Sequence, residues 1–330
     1  MAGLYIEFFY FRILQPTKNE FQSLLTAFLV IWIIACFNRS PVNQDFIQEV
    51  EMADVHGKVA VVTGGSRGVG KGIALGLGEA GATVYVTGRT TEEGTDIEKL
   101  GGTVFRTAQE VTDMGGKGIA VACDHRNDAQ VEGLFRQVTE EQGRLDILVN
   151  NAWAGYEQME HDGQFTWPNP FWEQPIWRWD AMFQDGVRAA FVAGAFAARM
   201  MVRQNHGLIV NISYWAAQTY MGNVEYGAAK AAVDKMTADM AHEAEKFNIA
   251  VISFYPCLVR TESVLRAAEY FDMSNSESPQ FSGRVIAALA DDPHIMSKTG
   301  KVWVGAVLAE EYGILDIDGK QPRPLTLETS

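Results

Sequence analysis

The sequence predicts an α/β chain, a single doubly wound domain on a seven-stranded parallel sheet. Three observations predict it. Short β-branched apolar runs recur after Met52, stretches of helical composition separate them, and no Pro-, Gly- or Ser-rich linker or internal repeat divides the series. Near-continuous apolar strands alternating with helices indicate a parallel sheet covered on both faces, because every crossover must lie against the sheet.

The strands are expected at 58–64 (KVAVVTG), 82–88 (ATVYVTG), 118–124 (GIAVACD), 145–152 (LDILVNNA), 207–213 (GLIVNIS), 249–256 (IAVISFYP) and 300–308 (GKVWVGAVL). Helices are expected around 68–80, 97–113, 128–142, 177–204, 226–246 and 280–291. Two intervals break the alternation. Residues 153–179 carry Trp153, Tyr156, Phe165, Trp167, Phe171, Trp172, Trp177 and Trp179, while Pro168, Pro170 and Pro175 oppose regular structure. Residues 262–280 are the second. Both follow a strand, which places them at the carboxyl edge of the sheet, where such folds bind ligands. The aromatic interval suits either a self-packed satellite core or a substrate wall.

The chain has 330 residues, 47% of them apolar, enough for one large core. A formal charge of −14 argues against nucleic-acid binding but not against a local anion site made of backbone N–H groups. The cysteines, Cys36, Cys123 and Cys257, show no paired spacing, which suits a reducing, cytoplasmic setting and offers no C-x-x-C metal site. Residues 1–51 stand apart as an N-terminal extension. Their apolar run at 24–37 (LLTAFLVIWIIACF) is shorter than the ~20 residues that span a bilayer. It suits either a membrane anchor facing the cytosol or an extension upstream of a natural start at Met52.

After the first strand comes TGGSRGVGKGIA, 63–74. Gly64, Gly68 and Gly70, with Ser66, Arg67 and Val69 among them, form a turn that lets a pyrophosphate approach the backbone where a helix begins. This is the dinucleotide site of a Rossmann fold. The second strand ends in Arg89 instead of an acid, and Arg67 adds a second guanidinium. Two planar forks suit a 2′-phosphate, so NADP(H) is favoured over NAD(H). The alternative makes Arg89 a solvated loop residue. Asp124 ends the third strand, placed to accept from an adenine amine or to cap the helix near Asn127.

In YGAAK, 226–230, Tyr226 and Lys230 stand four apart on one helix face. Alone, the pair would suit a buried tyrosine beside a snorkelling lysine. Beside a dinucleotide loop, it suits a phenol primed for proton transfer: a free phenol has a pKa of about 10, and a nearby cation lowers it by roughly 1–3 units.

TGGSRGVG, NNA at 150–152, YGAAK and YPCLVRT at 255–261 occur in the order of the short-chain dehydrogenases/reductases, which the chain resembles over about residues 57–310. Within that family, AGATVYVTGR, the tryptophan-rich loop and GLIVNIS…YMGNVEYGAAK look like the dehydrogenase/reductase member 1 branch. The resemblance implies a carbonyl–alcohol oxidoreductase. Tyr226 would exchange a proton with the substrate oxygen and Lys230 would hold the nicotinamide ribose, both lining the cofactor. Ser213 would bond the substrate oxygen, with Tyr214 as the alternative. Asn151, Ala152, Pro256, Val259 and Thr261 would line the cofactor.

Three departures from the family pattern stand out. Trp153 replaces a glycine and should crowd the site. Cys257 replaces the glycine after Pro256 and is expected to be a packing residue. Gly186 stands where many members carry an asparagine that holds a relay water. The leading expectation is an NADP-dependent oxidoreductase acting on an apolar small molecule; the rival is a catalytically weak nucleotide-binding scaffold. The small, apolar helix at 188–201 implies a homo-oligomer.

Overall fold

The computed structural model describes residues 53–96, 99–157, 159–161 and 164–329; the apolar run at 24–37 lies outside them. Chain contacts divide the protein into two units, Met1–Glu51 and Met52–Ser330. Among the described residues no helix is long and apolar enough to cross a membrane.

In the second unit the chain runs β1 (Val59–Thr63), α1 (Gly68–Glu79), β2 (Thr83–Gly88), α2 (Val104–Asp113), β3 (Lys117–Ala122), α3 (Asp128–Gln142) and β4 (Ile147–Asn150). A minimal hairpin, β5 (Glu160–His161) and β6 (Gln164–Phe165), precedes α4 (Ile176–Met182), a π-helical turn at Phe183–Arg188, and α5 (Ala189–Gln204). Then follow β7 (Gly207–Ile212), α6 (Val224–Ala244), β8 (Ile249–Tyr255), α7 (Glu262–Arg266), α8 (Pro279–Asp291), β9 (Val302–Val304) and α9 (Gly305–Tyr312). The seven-stranded sheet has the order β3-β2-β1-β4-β7-β8-β9, and every pairing in it is parallel. This is the Rossmann arrangement expected from the sequence.

Strand side chains alternate between two cores. From β1, Ala60 and Val62 meet Ile73, Leu77, Phe281 and Val285 on one face, while Val59 and Val61 meet Val131, Leu134 and Met201 on the other. Each fully buried branched side chain contributes roughly 1.5–3 kcal/mol, so both faces must be covered.

The elements differ from expectation in three places. Helix α2 starts only at Val104, because Gly101 and Gly102 adopt φ of 79° and 84° and Thr103 caps the helix by accepting from Arg106 N at 3.0 Å. The last predicted strand shrinks to Val302–Val304 and continues as α9, where Ala306, Leu308 and Ala309 are buried. The helix predicted at 177–204 contains the π-helical turn.

Helices α1 and α8 cross at close range through glycines. A Cβ on Gly76 would lie 2.5 Å from Gly283 C, and one on Gly283 would lie 2.6 Å from Gly72 O. Gly76→Val forces these backbones apart. It is expected to lower unfolding free energy by at least ~1–3 kcal/mol, read as a lower urea midpoint at unchanged slope; an unchanged midpoint would contradict the packing described.

Candidate active site

The glycine turn is braced from β4. Gly64 and Gly68 adopt φ of 67° and 58°, a region that residues with a Cβ enter only under strain. Asn151 Nδ2 donates to Thr63 O at 3.0 Å and to Gly64 O at 3.1 Å, while the backbone N–H groups of Asn151 and Ala152 both donate to Thr63 Oγ1 at 2.9 Å. A Cβ on Gly70 would lie 2.9 Å from Gly64 C, so only glycine lets the first turn of α1 fold this tightly behind the loop. Gly68 N already donates to a carboxylate oxygen, Glu262 Oε2, at 2.9 Å. An anionic oxygen therefore fits at this helix start, as the orphan N–H groups and helix dipole require.

A groove of about 430 Å³ opens from this turn. Ten of the residues expected to hold a cofactor line it: Gly64, Ser66, Arg67, Gly68, Val69 and Arg89, together with Asp124, Asn151, Ala152 and Thr261. Arg67 donates to Gly101 O and Thr90 Oγ1, both at 2.9 Å. Arg89 is exposed at the groove and pairs with Glu157 from the aromatic loop. Asp124 does not cap α3; Asn127 does, accepting from Ala129 N and Gln130 N. The Asp124 carboxylate instead holds Arg126 at 2.7 Å, and that hydrogen bond keeps it below the usual carboxylate range.

Arg126, His125 and Asp185 also line the groove, and sequence reasoning missed all three. For His125 and Arg126 the available signal was the short CDHRND stretch just after β3, which carries a cation where a phosphate or ribose would pass. Asp185 pairs with Arg126 at 3.5 Å, and burial pushes its carboxyl up. His125 is buried and neutral, its pKa lowered by burial to about 4. Thr87 Oγ1 spends its proton on Val62 O at 3.2 Å, so His125 Nε2 is the donor in its 2.8 Å contact with Thr87. That leaves Nδ1 as a buried acceptor without a hydrogen-bond partner among the described residues.

Tyr226 and Lys230 sit in the first two turns of α6, whose cap Asn223 accepts from Tyr226 N at 2.9 Å. Both side chains are buried, at 5% and 6% exposure. Trp153 and Tyr156 separate them from the groove, lining it on one side and touching Tyr226 on the other. Tyr156 OH donates to Tyr226 OH at 2.8 Å, and the Trp167 ring closes the cluster 5.6 Å from the phenol ring. Lys230 Nζ donates to Ile212 O at 3.3 Å and lies 4.1 Å from the Trp153 ring centroid.

Burial lowers the Lys230 ammonium to about 8, partly offset by the Asp234 carboxylate. Burial, reinforced by Tyr156, raises Tyr226 well above the ordinary phenol value. That direction is opposite to the lowering expected from the sequence. The ammonium lies 5.9 Å from the phenol ring, and desolvation outweighs it in this geometry.

Ser213, the residue after β7, is fully buried and donates to Lys230 O at 3.3 Å, while the neighbouring Tyr214 packs against the Tyr226 cluster. Pro256 and Val259 belong to the loop after β8, which a parallel bridge from Val259 to Glu277 fastens, and neither lines the groove. Thr261 caps α7 by accepting from Val264 N at 3.3 Å. Cys257 is buried with its thiol pushed up to about 12, as suits a packing residue.

The aromatic interval is divided. Arg178 is fully buried and lies over the Trp167 and Trp177 rings, and Gln174 donates to three loop carbonyls, so one half is a satellite core. Phe171, Trp172 and Trp179 are exposed.

Comparison with known proteins bears on the family of the chain. The profile of the family described as short chain dehydrogenase matches residues 58–269. Dehydrogenase/reductase SDR family member 1 of Mus musculus is 42% identical over 283 residues, covering 82% of this chain and 86% of that protein. Its Homo sapiens counterpart is 40% identical over 282 residues, covering 81% and 86%. A solved short-chain type dehydrogenase/reductase from Mycobacterium marinum superposes with a TM-score of 0.61 at 28% identity, covering 76% of this chain and 94% of that one.

Proposed function

The chain belongs to the short-chain dehydrogenase/reductase family, an oxidoreductase family that uses NAD(H) or NADP(H), and from that premise we propose that it is an NADP-dependent enzyme that interconverts a carbonyl and an alcohol on an apolar small molecule, with Tyr226 as general acid and base. The observation that carries the reading is the buried Tyr226–Lys230 pair at the carboxyl edge of the sheet, one aromatic layer from the glycine-loop groove.

The fit to a dinucleotide rests on the Gly68 N–H that already takes a carboxylate oxygen and on three guanidiniums, Arg67, Arg89 and Arg126, around the groove. Gly64, Ser66, Gly68, Val69 and Gly70 would hold the pyrophosphate. Asn151, Ala152, Pro256, Val259 and Thr261 would hold the nicotinamide end, and Asp124 would face the adenine. Bound nicotinamide supplies or receives the hydride and, when oxidised, adds positive charge beside the phenol.

Tyr226 oxygen accepts from Tyr156, so its own proton is free to pass to a substrate oxygen. The Lys230 charge then favours the phenolate that remains, against the burial and the Tyr156 contact that raise the phenol. Ser213, with Tyr214 as the alternative, would bond the substrate oxygen. Trp153, Tyr156 and Trp167 give this end an apolar wall, which supports an apolar substrate. Cys123 and Cys257 are free thiols, in keeping with the cytoplasmic setting we infer. Phe191 on α5 is 55% exposed beside small residues, which supports a homo-oligomer through this face. Light scattering should show a mass above one chain; a monomer alone would contradict that part.

Tyr226→Phe should lower turnover by about 10²–10⁴-fold while NADPH binding, measured by fluorescence titration, stays within ~2-fold. A protein with no Tyr226-dependent turnover across a panel of carbonyls would be the scaffold instead. Carbonyl reduction needs Lys230 charged. Because burial sets that group to about 8, the rate should be level at lower pH and fall as pH rises through about 8; a rate that climbs through that range would contradict the assignment.

Arg89→Ala should raise the KM for NADPH about 10-fold and leave that for NADH nearly unchanged, since a charged hydrogen bond contributes roughly 1.5–3 kcal/mol. Equal losses with both cofactors would remove the argument for NADP.

A further inference from the structure

Two features that look unrelated along the chain, a tryptophan at 153 and a glycine at 186, occupy one place in the fold. A Cβ on Gly186 would lie 2.5 Å from Trp153 Cε3, and a Cβ on Gly155 would lie 2.6 Å from Trp153 Cε2 and Cζ2. The indole is therefore seated in a slot whose two walls are glycines. Gly186 itself belongs to the π-helical turn at Phe183–Arg188, an irregularity that recurs at functional sites. No residue with a side chain at 155 or 186 would leave the ring where it is.

The seated indole presents its face to Lys230, whose Nζ lies 4.1 Å from the ring centroid, and stands T-shaped to the Tyr226 ring with 5.9 Å between centroids. An amine buried to 6% exposure needs its charge compensated. Around Nζ stand one hydrogen-bonded carbonyl, Ile212 O at 3.3 Å, and the indole face; the Asp234 carboxylate, one helical turn further along α6, adds attraction at longer range. Among side chains the tryptophan face attracts a cation most strongly, and more so when water is excluded.

We propose that Trp153 is a positioning residue for Lys230: held between Gly155 and Gly186, its indole fixes the ammonium beside the Tyr226 phenol and keeps it charged. The inference rests on the reading of Tyr226 and Lys230 as the proton-transfer pair. It also gives the two glycines a purpose, because each is the space the indole requires. The groups that face Lys230 are thus Trp153 from the loop after β4, Ile212 O from β7, and Tyr226 and Asp234 from α6.

The test follows the Lys230 ammonium directly, by NMR titration of selectively labelled lysine in the full chain, for wild type, Trp153→Phe, Trp153→Leu and Gly186→Ala. Lys230→Met assigns the signal, and thermal midpoints establish that each variant is folded. The ammonium of Trp153→Leu should titrate about 0.5–1 unit below wild type, the size of a partly buried cation–π contact. Gly186→Ala, which displaces the ring without touching it chemically, should move it the same way. Trp153→Phe should recover about half the shift.

The falling limb of the carbonyl-reduction rate should move by the same amounts in each variant. Equal shifts for the Phe and Leu variants, no shift, or an upward shift would overturn the proposal; an upward shift would mean that the indole only buries the amine. Should Trp153→Leu fail to fold, the Phe and Gly186→Ala variants carry the same comparison. Failure of the proton-transfer reading is distinguishable, because it would appear as unchanged turnover in Tyr226→Phe whatever the Trp153 variants do.

Discussion

The chemical end of this sheet depends on one buried ammonium. Removing a lysine amine from water costs several kcal/mol unless its donors and its charge are met. The chain meets them with the last carbonyl of β7, a tryptophan face and a carboxylate one turn along α6. Each of these constrains its surroundings. The carbonyl ties α6 to the strand, the indole requires glycines at 155 and 186, and the lysine's place on α6 fixes where Tyr226 must stand.

A parallel sheet explains why two such different environments lie side by side. All strands end at the same edge, so the loops after β1 to β4 build a polar, guanidinium-rich groove, and those after β4, β7 and β8 build an aromatic, water-poor corner. Trp153 and Tyr156 belong to both. On one side they close the groove; on the other they contact the phenol. Most of the charged side chains stand where solvent reaches, and the proposed proton exchange falls in the corner where a local field acts most strongly.

Much of this was legible in the sequence. The strands were clear because runs such as VAVVT and AVISFY are apolar on both faces, and the glycine turn because Gly64 and Gly68 need the left-handed region. The late start of α2 was hidden by a helical composition that Gly101 and Gly102 interrupt. β9 was overextended because Ala306, Val307 and Leu308 suit a strand as well as a buried helix. Arg126 and His125 carry no motif; only the folded chain brings them to the groove. Strand position alone brings Asp124 there, whereas its bond to Arg126 forms only in the folded chain.

The least legible feature was the phenol's own environment. Four residues of spacing place Lys230 on the face of Tyr226, but they do not say how dry that face is. Desolvation raises the phenol, and how strongly depends on aromatic rings from a loop seventy residues away. Trp153 and Gly186 likewise appeared as two separate departures from a family pattern, and become one device only when the indole is seen between its glycines.

The claim that the amine activates the phenol is tested most directly by titrating the Tyr226 ring carbon bonded to oxygen, by ¹³C NMR with NADP⁺ bound, in wild type and in Lys230→Met. The account predicts that the wild-type phenol ionises at distinctly lower pH than the variant, whose phenol stays protonated until the protein unfolds. Coincident titrations in the two proteins would contradict it.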